Sequence, residues 1–263
     1  MKILVCAKRV PDTSENEIAL NSAGNDIERD ELVYSINEPD NYAVEEALQI
    51  AAHAGGEVTV VTVGGEDDEE ILRREMAMGA NQGVLLTDES FAGSDGRGIA
   101  TILKAFVEKG PYDLILTGVQ AEDGAAQVGG MLAALLDYPF ASLVNSIEVL
   151  GGQKLKISRE IEGGNKEMNE IDLPCVLSIQ TGINEPRYVG MKGIRAVASV
   201  PISTYGAAEL GLEASAVGTA GAKTKRLDYF VPAAGKRAEI LKGGREENIE
   251  KLVELLAAKG GLK

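Results

Sequence analysis

Two short segments of this chain contain residues that could bind an anion or make a specific contact. Gly118–Gly130 consists mostly of small residues, which let backbone N–H groups approach a phosphate, and it leads into a predicted helix N-terminus. Asn184–Tyr188 places an amide, two charges and an aromatic ring around one proline. Each segment also has a simpler interpretation, a tight turn for the first and a turn closed by an Arg–Glu pair for the second. The residues alone leave both interpretations open.

Most other kinds of reactive site lack the residues they need. His53 is the single histidine and falls at the surface end of a predicted helix, which disfavours histidine triads and multi-histidine metal sites. Cys6 and Cys175 lie far apart in apolar runs, as buried thiols do. The two commonest phosphate loops, Gly-x-Gly-x-x-Gly after the first strand and Gly-Lys-Ser/Thr, are missing. We therefore expect no catalytic residue and no metal site, and a bound nucleotide would be held in another way.

The elements that would position these segments alternate between strand and helix. Apolar runs rich in β-branched residues predict buried strands at Ile3–Ala7, Val58–Val63, Val84–Thr87 and Leu114–Thr117. Helical patterns lie between or after them, at 44–51, from an acidic start at 66–70 to Gly79, at 98–109 and at 127–136. This order predicts an α/β fold with a doubly wound, mostly parallel sheet that binds nucleotides at the carboxyl ends of its strands.

The second half of the chain departs from this alternation. Segments 143–149, 154–161 and 168–173 predict an antiparallel excursion, after which Cys175–Gln180 returns to a buried strand. Beyond Pro201 the chain shows little periodicity until a final helix with an apolar face at 249–256. We expect a nucleotide-binding domain over 1–200 and, over 201–263, an arm with a C-terminal helix that docks on a second polypeptide. An arm folded back over its own sheet is the alternative.

Composition limits the possible partners. Hydrophobic residues make up 44% of the 263, enough for one main core, and the formal net charge is −15. That charge disfavours binding to nucleic acid or to anionic lipid. No run approaches the roughly twenty apolar residues that cross a bilayer, and no basic leader precedes the first strand. We expect no membrane insertion and a cytoplasmic location.

Six short motifs are distributed along almost the whole chain. They are Val5–Thr13, Asn37–Ala47, Ala77–Ala80 (Ala-Met-Gly-Ala), Gly118–Ala121 (Gly-Val-Gln-Ala), Arg159–Gly164 (Arg-Glu-Ile-Glu-Gly-Gly) and Asn184–Tyr188 (Asn-Glu-Pro-Arg-Tyr). In combination they resemble the beta subunit of electron-transfer flavoproteins. The resemblance implies a Rossmann-like subunit paired with an alpha subunit, which holds most of the redox FAD while beta covers one side of it.

The resemblance also implies a second cofactor site on the beta sheet. It holds AMP in ordinary members and a second FAD in electron-bifurcating members. By matching positions, its binding groups would be Cys6, Ala7, Asn37, Val63, Asp123, Ala126, Gln127, Val128 and Gly129. Val128 would contribute its backbone only. Carried over in the same way, Arg159 and Glu160 would face the flavin and the alpha interface.

A docking loop follows from the same resemblance. The loop Asn184–Ile194 would bind a partner dehydrogenase through Asn184, Glu185, Pro186, Arg187, Tyr188 and Met191. Met191 occupies the anchor position that enters an apolar pocket of the partner, where a flexible thioether adapts well.

The chain departs from the family pattern in its nucleotide loop and after its docking loop. The nucleotide loop is one residue shorter and reads Ala-Gln-Val at 126–128, where AMP-binding members often have Asn-Gln-Thr and bifurcating members tend to have Ala-Gln-Val. A Lys-rich run after the docking loop is replaced by Ala196–Val200, which removes a steering patch and suggests a different partner.

Three functions fit these observations. We expect an electron carrier whose FAD takes electrons from flavin dehydrogenases, such as acyl-CoA dehydrogenases, and passes them toward a quinone reductase. The alternative is a bifurcating subunit whose beta-bound FAD oxidises NADH. A stand-alone nucleotide-sensing module would be a stable monomer, which the apolar residues after Pro201 disfavour.

Overall fold

We analysed a computed structural model of the chain, which describes residues 1–151, 153–233, 235, 238 and 240–261. The fold divides into two compact units. The first unit comprises Met1–Ala19 and Glu28–Leu227, and the second comprises Leu20–Ile27 and Asp228–Lys263. The first unit contains the sheets and the candidate site.

Strands in the described residues form one large sheet and one small sheet. They are β1 (Lys2–Cys6), β2 (Arg9–Pro11), β3 (Tyr34–Ile36), β4 (Glu57–Val63), β5 (Gln82–Leu86), β6 (Leu114–Gly118), β7 (Phe140–Val149), β8 (Lys154–Ile161), β9 (Asn165–Asp172), β10 (Cys175–Ile179) and β11 (Ser203–Tyr205). The large sheet has the order β11-β5-β4-β1-β6-β10-β7-β8-β9, and β2 pairs with β3 in an antiparallel ribbon.

The strand order places β1 at a reversal of the winding direction. From β1 the chain winds outward through β4 and β5 and returns to β6 on the other side of β1. Strand β7 then lies one position further out, and β10 later fills the position between β6 and β7. All these neighbours are parallel, as is the β11–β5 pair at the sheet edge. Ligands in open α/β sheets bind beyond the carboxyl ends of the strands at such a reversal. The fold therefore predicts a ligand site at the carboxyl ends of β1 and β6.

Helices cover both faces of the central strands. They are α1 (Glu38–Ala54), α2 (Glu69–Met78), α3 (Gly96–Val107), α4 (Val128–Leu136), α5 (Met191–Val197), α6 (Ala207–Leu210), α7 (Gly218–Gly221) and α8 (Arg245–Ala258). The apolar sides of α1 and α2 pack against one face through residues such as Val44, Leu48 and Leu72. The sides of α3 and α4 pack against the other, through Ile102 and Leu132 among others. The predicted doubly wound α/β fold is confirmed.

The antiparallel excursion is confirmed as well. Strand β7 pairs parallel with β10 and then antiparallel with β8, which in turn pairs antiparallel with β9. Leu155 and Ile157 of β8 are buried, whereas almost the whole of β9 is exposed. The outer strands of this extension therefore keep a large surface free of contacts within the first unit.

The region beyond Pro201 contributes to both units. In the first unit β11 extends the sheet edge, and α6 and α7 follow it. In the second unit α8 has no buried residue, and its side chains Ile249, Leu252 and Val253 are half exposed. The proposal that residues 201–263 dock on a second polypeptide stays a prediction.

His53 and Cys175 lie where the sequence predicts, whereas Cys6 is half-buried and not fully buried. His53 lies exposed in the last turn of α1, and its Nδ1 is 2.7 Å from the carbonyl oxygen of Gln49. Cys6 and Cys175 are free thiols. Burial raises the pKa of Cys175 to about 12, and it raises that of Cys6 further, with the charge of Asp40 adding to the effect. Among the described residues, no helix is both long and apolar enough to span a bilayer.

Glu75 on α2 gives a testable property of the core. Its side chain is fully buried, neither carboxyl oxygen has a hydrogen-bond partner among the described residues, and burial raises its pKa to about 8. The folded chain therefore holds this proton at pH values where the unfolded chain has released it. Stability should fall as the pH rises from about 4.5 to about 8.

We expect Glu75→Gln to remove this dependence, because the amide stays neutral. The gain in unfolding free energy should be on the order of a few kcal/mol at pH 9 and much smaller at pH 5. Thermal unfolding at the two pH values measures it, with Glu70→Gln on the exposed side of the same helix as control. Equal shifts of the melting temperature at both pH values would contradict the assignment.

Candidate functional site

A large cleft opens at the carboxyl ends of β1, β4 and β6. Its volume is about 1070 Å³, near the upper end of the range usual for small-molecule sites. The floor is formed by strand-end residues, including Cys6, Val63 and Thr117, and the walls by the loops that follow them. This is the place that the reversal of strand order predicts for a ligand.

Asp40 ties together two of the loops that line the cleft. It lies in the first turn of α1, buried, and its two carboxyl oxygens accept hydrogen bonds from the backbone N–H groups of Lys8 (3.0 Å) and Gly118 (2.9 Å). Burial raises the pKa of Asp40 to about 7, against the opposing effect of its hydrogen bonds. The carboxyl group thus fixes the exits of β1 and β6 relative to α1.

Asn37 lines the cleft and holds the loop that follows β6. Its side-chain amide donates to the carbonyl oxygen of Gln120 (2.9 Å), which holds the loop after β6. The residue is 1% exposed, and its Oδ1 has no partner among the described residues. A buried acceptor without a donor is costly, so a hydrogen bond to Oδ1 from a ligand N–H group would be favourable.

The N-terminus of α4 forms another wall. Gln127 is the N-cap residue but makes no side-chain capping bond, so the first N–H groups of the helix keep the capacity to bind an anion. Ala126 just before it has φ +54°, a left-handed conformation that costs energy for a non-glycine residue and is often found at binding sites. Gly129 allows the close approach of α4 to the sheet, since a Cβ there would lie 2.4 Å from Ser178 Oγ.

Asp95 organises the opposite wall. One of its oxygens caps α3 by accepting from Gly98 N–H (2.9 Å), and the other accepts from the backbone N–H groups of Lys223 (2.7 Å) and Thr224 (2.9 Å). These hydrogen bonds, the capping bond first among them, lower the pKa of Asp95 to about 2. The carboxylate therefore holds the segment that brings Thr224, Lys225 and Arg226 to the cleft.

The polar groups of the cleft favour the binding of an anion. The raised pKa of Cys6 keeps its thiol protonated and a poor nucleophile. Lys8 forms an ion pair with Asp123 at the mouth. No cluster of three or more metal-binding side chains occurs in the described ranges. Unpaired helix N–H groups, an unpaired amide oxygen and a basic rim suit a polar, anionic ligand.

All nine predicted cofactor-binding residues line this one cleft. Cys6 and Ala7 lie at the end of β1, Val63 at the end of β4, and Asn37 just before α1. The stretch after β6 supplies the others: Asp123, Ala126 and Gln127 from the loop, and Val128 and Gly129 from the start of α4. The structure brings them together from four separate parts of the sequence. That they bind a nucleotide stays a prediction.

The predicted docking residues lie elsewhere, in the segment that follows β10 and at the start of α5. Tyr188 and Met191 are 93% and 64% exposed. Arg187 does pair with a glutamate, but the partner is Glu45 of α1, whose two oxygens lie 2.7 Å and 2.9 Å from Nε and Nη2. Asn184 donates to Glu46 of the same helix (3.0 Å). Glu185 and Pro186 lie between these anchors, Glu185 exposed and Pro186 half-buried.

Arg159 and Glu160 lie on the antiparallel extension and outside the cleft. Arg159 is half-buried in β8, its Nη1 is 3.5 Å from Glu167 of β9, and its Nε has no partner among the described residues. Glu160 is exposed on the same strand. The structure thus separates these two residues from the nine that line the cleft.

Comparison with known proteins places these features in one family. The family model described as the electron transfer flavoprotein domain matches residues 25–210, well over half of the chain. The chain belongs to this family. The electron transfer flavoprotein subunits beta of Methylophilus methylotrophus and Thermoanaerobacterium thermosaccharolyticum are 35% and 37% identical to it, each over 97% of this chain and 98% of the relative. The caffeyl-CoA reductase-Etf complex subunit CarD of Acetobacterium woodii is 36% identical over 92% of both chains.

Membership of the electron transfer flavoprotein family, with near full-length beta-subunit relatives, confirms the resemblance drawn from the six motifs. It also shows which residues the sequence analysis missed. Asp40, Glu45 and Glu46 lie inside the motif 37–47 but were given no role. An acidic pair beside the apolar residues Val44 and Ala47 signals buried carboxylates that need partners.

The residues of the Asp95 wall were missed for a different reason. Asp95 stands just before the start of α3, where aspartate is a strong N-cap signal, so its capping bond could have been predicted. Its second set of contacts, to Lys223 and Thr224, joins positions more than a hundred residues apart and has no local signature.

Proposed function

We propose that this chain is the beta subunit of a heterodimeric electron-transfer flavoprotein that acts as an electron carrier. It would accept electrons from flavin dehydrogenases, such as acyl-CoA dehydrogenases, and pass them toward a quinone reductase. The observation that carries the proposal is the convergence of all nine matched residues on one cleft in a chain of this family. The chain itself needs no catalytic residue for this role.

The cleft fits an adenine nucleotide, and we propose AMP as the occupant. The unpaired Oδ1 of Asn37 suits an amino or hydroxyl donor of the ligand, and the uncapped N-terminus of α4 suits a phosphate. Gly129 keeps that helix end close to the sheet. In this arrangement Cys6, Ala7 and Val63 would make van der Waals contacts with the ligand, because no charged atom of theirs faces the cleft.

The redox FAD would lie mostly on the alpha subunit, with Arg159 and Glu160 of this chain on its exposed side. When bound there, FAD supplies the electron-accepting and electron-donating chemistry. Arg159 is half-buried on β8, and its Nη1 is 3.5 Å from Glu167 of β9. Its positive charge would favour added negative charge nearby.

Residues 201–263 would cover the alpha subunit through apolar side chains such as Leu227 and Phe230, which are 90% and 75% exposed.

The docking loop Asn184–Ile194 would bind the dehydrogenase. Met191 and Tyr188 offer exposed apolar surface on a small segment, which suits a weak, rapidly exchanging contact.

The free thiols of Cys6 and Cys175 suit a reducing compartment, and we propose the cytoplasm as the location of this chain.

A bifurcating subunit is the second candidate. The Ala-Gln-Val sequence at 126–128 favours it, and a cleft of about 1070 Å³ leaves room for a ligand larger than a mononucleotide. The intact Arg-Glu-Ile-Glu-Gly-Gly and Asn-Glu-Pro-Arg-Tyr motifs favour the carrier.

Anaerobic titration separates the two candidates. The chain, purified with its alpha partner, is mixed with NADH alone and then with an acyl-CoA dehydrogenase and its substrate, and flavin absorbance is followed. The carrier predicts no reduction by NADH and reduction through the dehydrogenase. Reduction by NADH, with two FAD in each heterodimer, would replace the carrier by the bifurcating subunit.

A further inference from the structure

The docking loop Asn184–Ile194 lies within a longer segment, 184–200, which is attached to α1 and α2 at both of its ends. We propose that Glu45 and Glu46 of α1 and Arg73 of α2 are positioning residues that hold the segment 184–200 in its docking conformation. This inference rests on the proposed function, because it concerns the contact with the dehydrogenase.

The first attachment lies at the start of the segment. Arg187 forms a two-pronged ion pair with Glu45 and also donates to the carbonyl oxygen of Met78 (3.2 Å), the last residue of α2. Asn184 donates to Glu46 (3.0 Å) and to the carbonyl oxygen of Tyr42 (3.1 Å). Planar guanidinium–carboxylate pairs fix orientation as well as distance.

The second attachment lies at the end of the segment. Arg73 donates through Nη1 to the carbonyl oxygens of Val197 (2.8 Å) and Val200 (2.5 Å). These carbonyls belong to the end of α5 and the turn after it, where helix carbonyls lack intrahelical partners. Glu69 holds Arg73 in place through Nε (3.0 Å) and Nη2.

Between the two attachments the segment exposes the residues that would meet a partner. No residue of α5 is buried, and Tyr188 and Met191 point outward. A short exposed segment of this kind would lose much conformational freedom on docking unless it were held beforehand. Preorganisation reduces that cost and so lowers the concentration needed for binding.

Stability alone does not require glutamates at positions 45 and 46. Glu45 and Glu46 are buried neighbours on one helix, and each is satisfied by a side chain of the docking loop. Two apolar residues would fill the same space without needing partners. Glu45 also accepts a hydrogen bond from Gln49 of the same helix (3.0 Å), and its side-chain donor from outside α1 is Arg187 of the docking loop.

The test compares Glu45→Gln and Arg73→Lys with the wild type, each as the full chain in complex with its alpha partner. Hydrogen–deuterium exchange of the amides in 184–200 and tryptic cleavage after Lys192 and Arg195 report on the loop without any partner. We expect faster exchange and faster cleavage in both variants, with FAD and AMP content unchanged. Glu108→Gln, which removes one carboxylate from the exposed Lys104–Glu108 pair on α3, is the matched control and should change neither.

Kinetics give the functional readout. Medium-chain acyl-CoA dehydrogenase with octanoyl-CoA reduces the heterodimer, and the apparent KM for the heterodimer should rise about tenfold in the variants, with kcat little changed. Met191→Ala should raise KM without altering exchange, because it removes a contact and leaves the loop in place.

Unchanged exchange and unchanged cleavage in both variants would overturn the inference, even if KM rose. Should the wild type accept no electrons from the dehydrogenase, the proposed function fails and the exchange measurement alone decides the role of Glu45 and Arg73. If Glu45→Gln does not fold, Arg73→Lys, which keeps the charge but loses the fork to two carbonyls, decides it.

Discussion

Replacing Gly129 by alanine is expected to weaken nucleotide binding at least tenfold and to destabilise the fold by about 1–3 kcal/mol. A Cβ at this position would lie 2.4 Å from Ser178 Oγ and 2.8 Å from Thr117 Oγ1. Those two hydroxyls are buried and hydrogen-bonded to each other (2.8 Å), so neither can move without breaking that bond. The start of α4 would have to shift away from the sheet, and with it the N–H groups that face the cleft. Denaturant unfolding and AMP content of the purified heterodimer measure the two effects.

The neighbouring glycine provides the control for this substitution. In Gly130→Ala the new Cβ would meet only Phe140, at 3.4 Å, an ordinary van der Waals contact. It should bind nucleotide as the wild type does and be no less stable. Nucleotide content in Gly129→Ala equal to that of Gly130→Ala and the wild type would contradict a role of the start of α4 in binding.

Asp40→Ala should also empty the cleft, for a different reason. The substitution leaves the partly buried N–H groups of Lys8 and Gly118 without their acceptor, at a cost of about 1 kcal/mol for each donor. The loops after β1 and β6 then lose their link to α1. We expect loss of AMP on gel filtration, together with a lower melting temperature.

Asp113→Ala is the matched control for the second substitution. Asp113 accepts a hydrogen bond from Lys2 N–H (2.7 Å) at the opposite end of β1, outside the cleft. Its removal should lower stability modestly and leave nucleotide content unchanged. A parallel loss of AMP in both variants would mean that Asp40 acts through general stability.

Asp40 also makes the stability of the wild type depend on pH. Its pKa is about 7 in the folded protein and 3.8 for an ordinary aspartate, so the folded state retains a proton that the unfolded chain releases. Stability is therefore lost as the pH rises between these values, in the same direction as for Glu75.

The central sheet could be predicted because its strands are local apolar runs. Val58–Val63 and Leu114–Thr117 carry few charges and many β-branched residues, and glycines or polar clusters mark where they end. Parallel pairing and the site at the strand ends then follow from general rules of connection. The cleft residues themselves were assigned by family resemblance, since Ala7 or Val63 has no chemical feature that marks it as a ligand contact.

The remaining features depend on contacts between distant parts of the chain. The pairing of Arg187 with Glu45 joins residues 142 positions apart, and Asp95 reaches Thr224 across 129 positions. Neither partner can be read from spacing, because many charged residues offer equally good chemistry. The burial of Glu75 without a partner runs against the usual behaviour of glutamate and could not be inferred from its helical pattern.

The most direct test of the central proposal is a count of the adenine nucleotides in the purified heterodimer. Acid extraction followed by chromatography with mass detection should give one FAD and one AMP for each heterodimer, and the AMP alone should be missing from Asp40→Ala. A single FAD with no second adenine nucleotide, or a monomeric chain that binds none, would contradict the account.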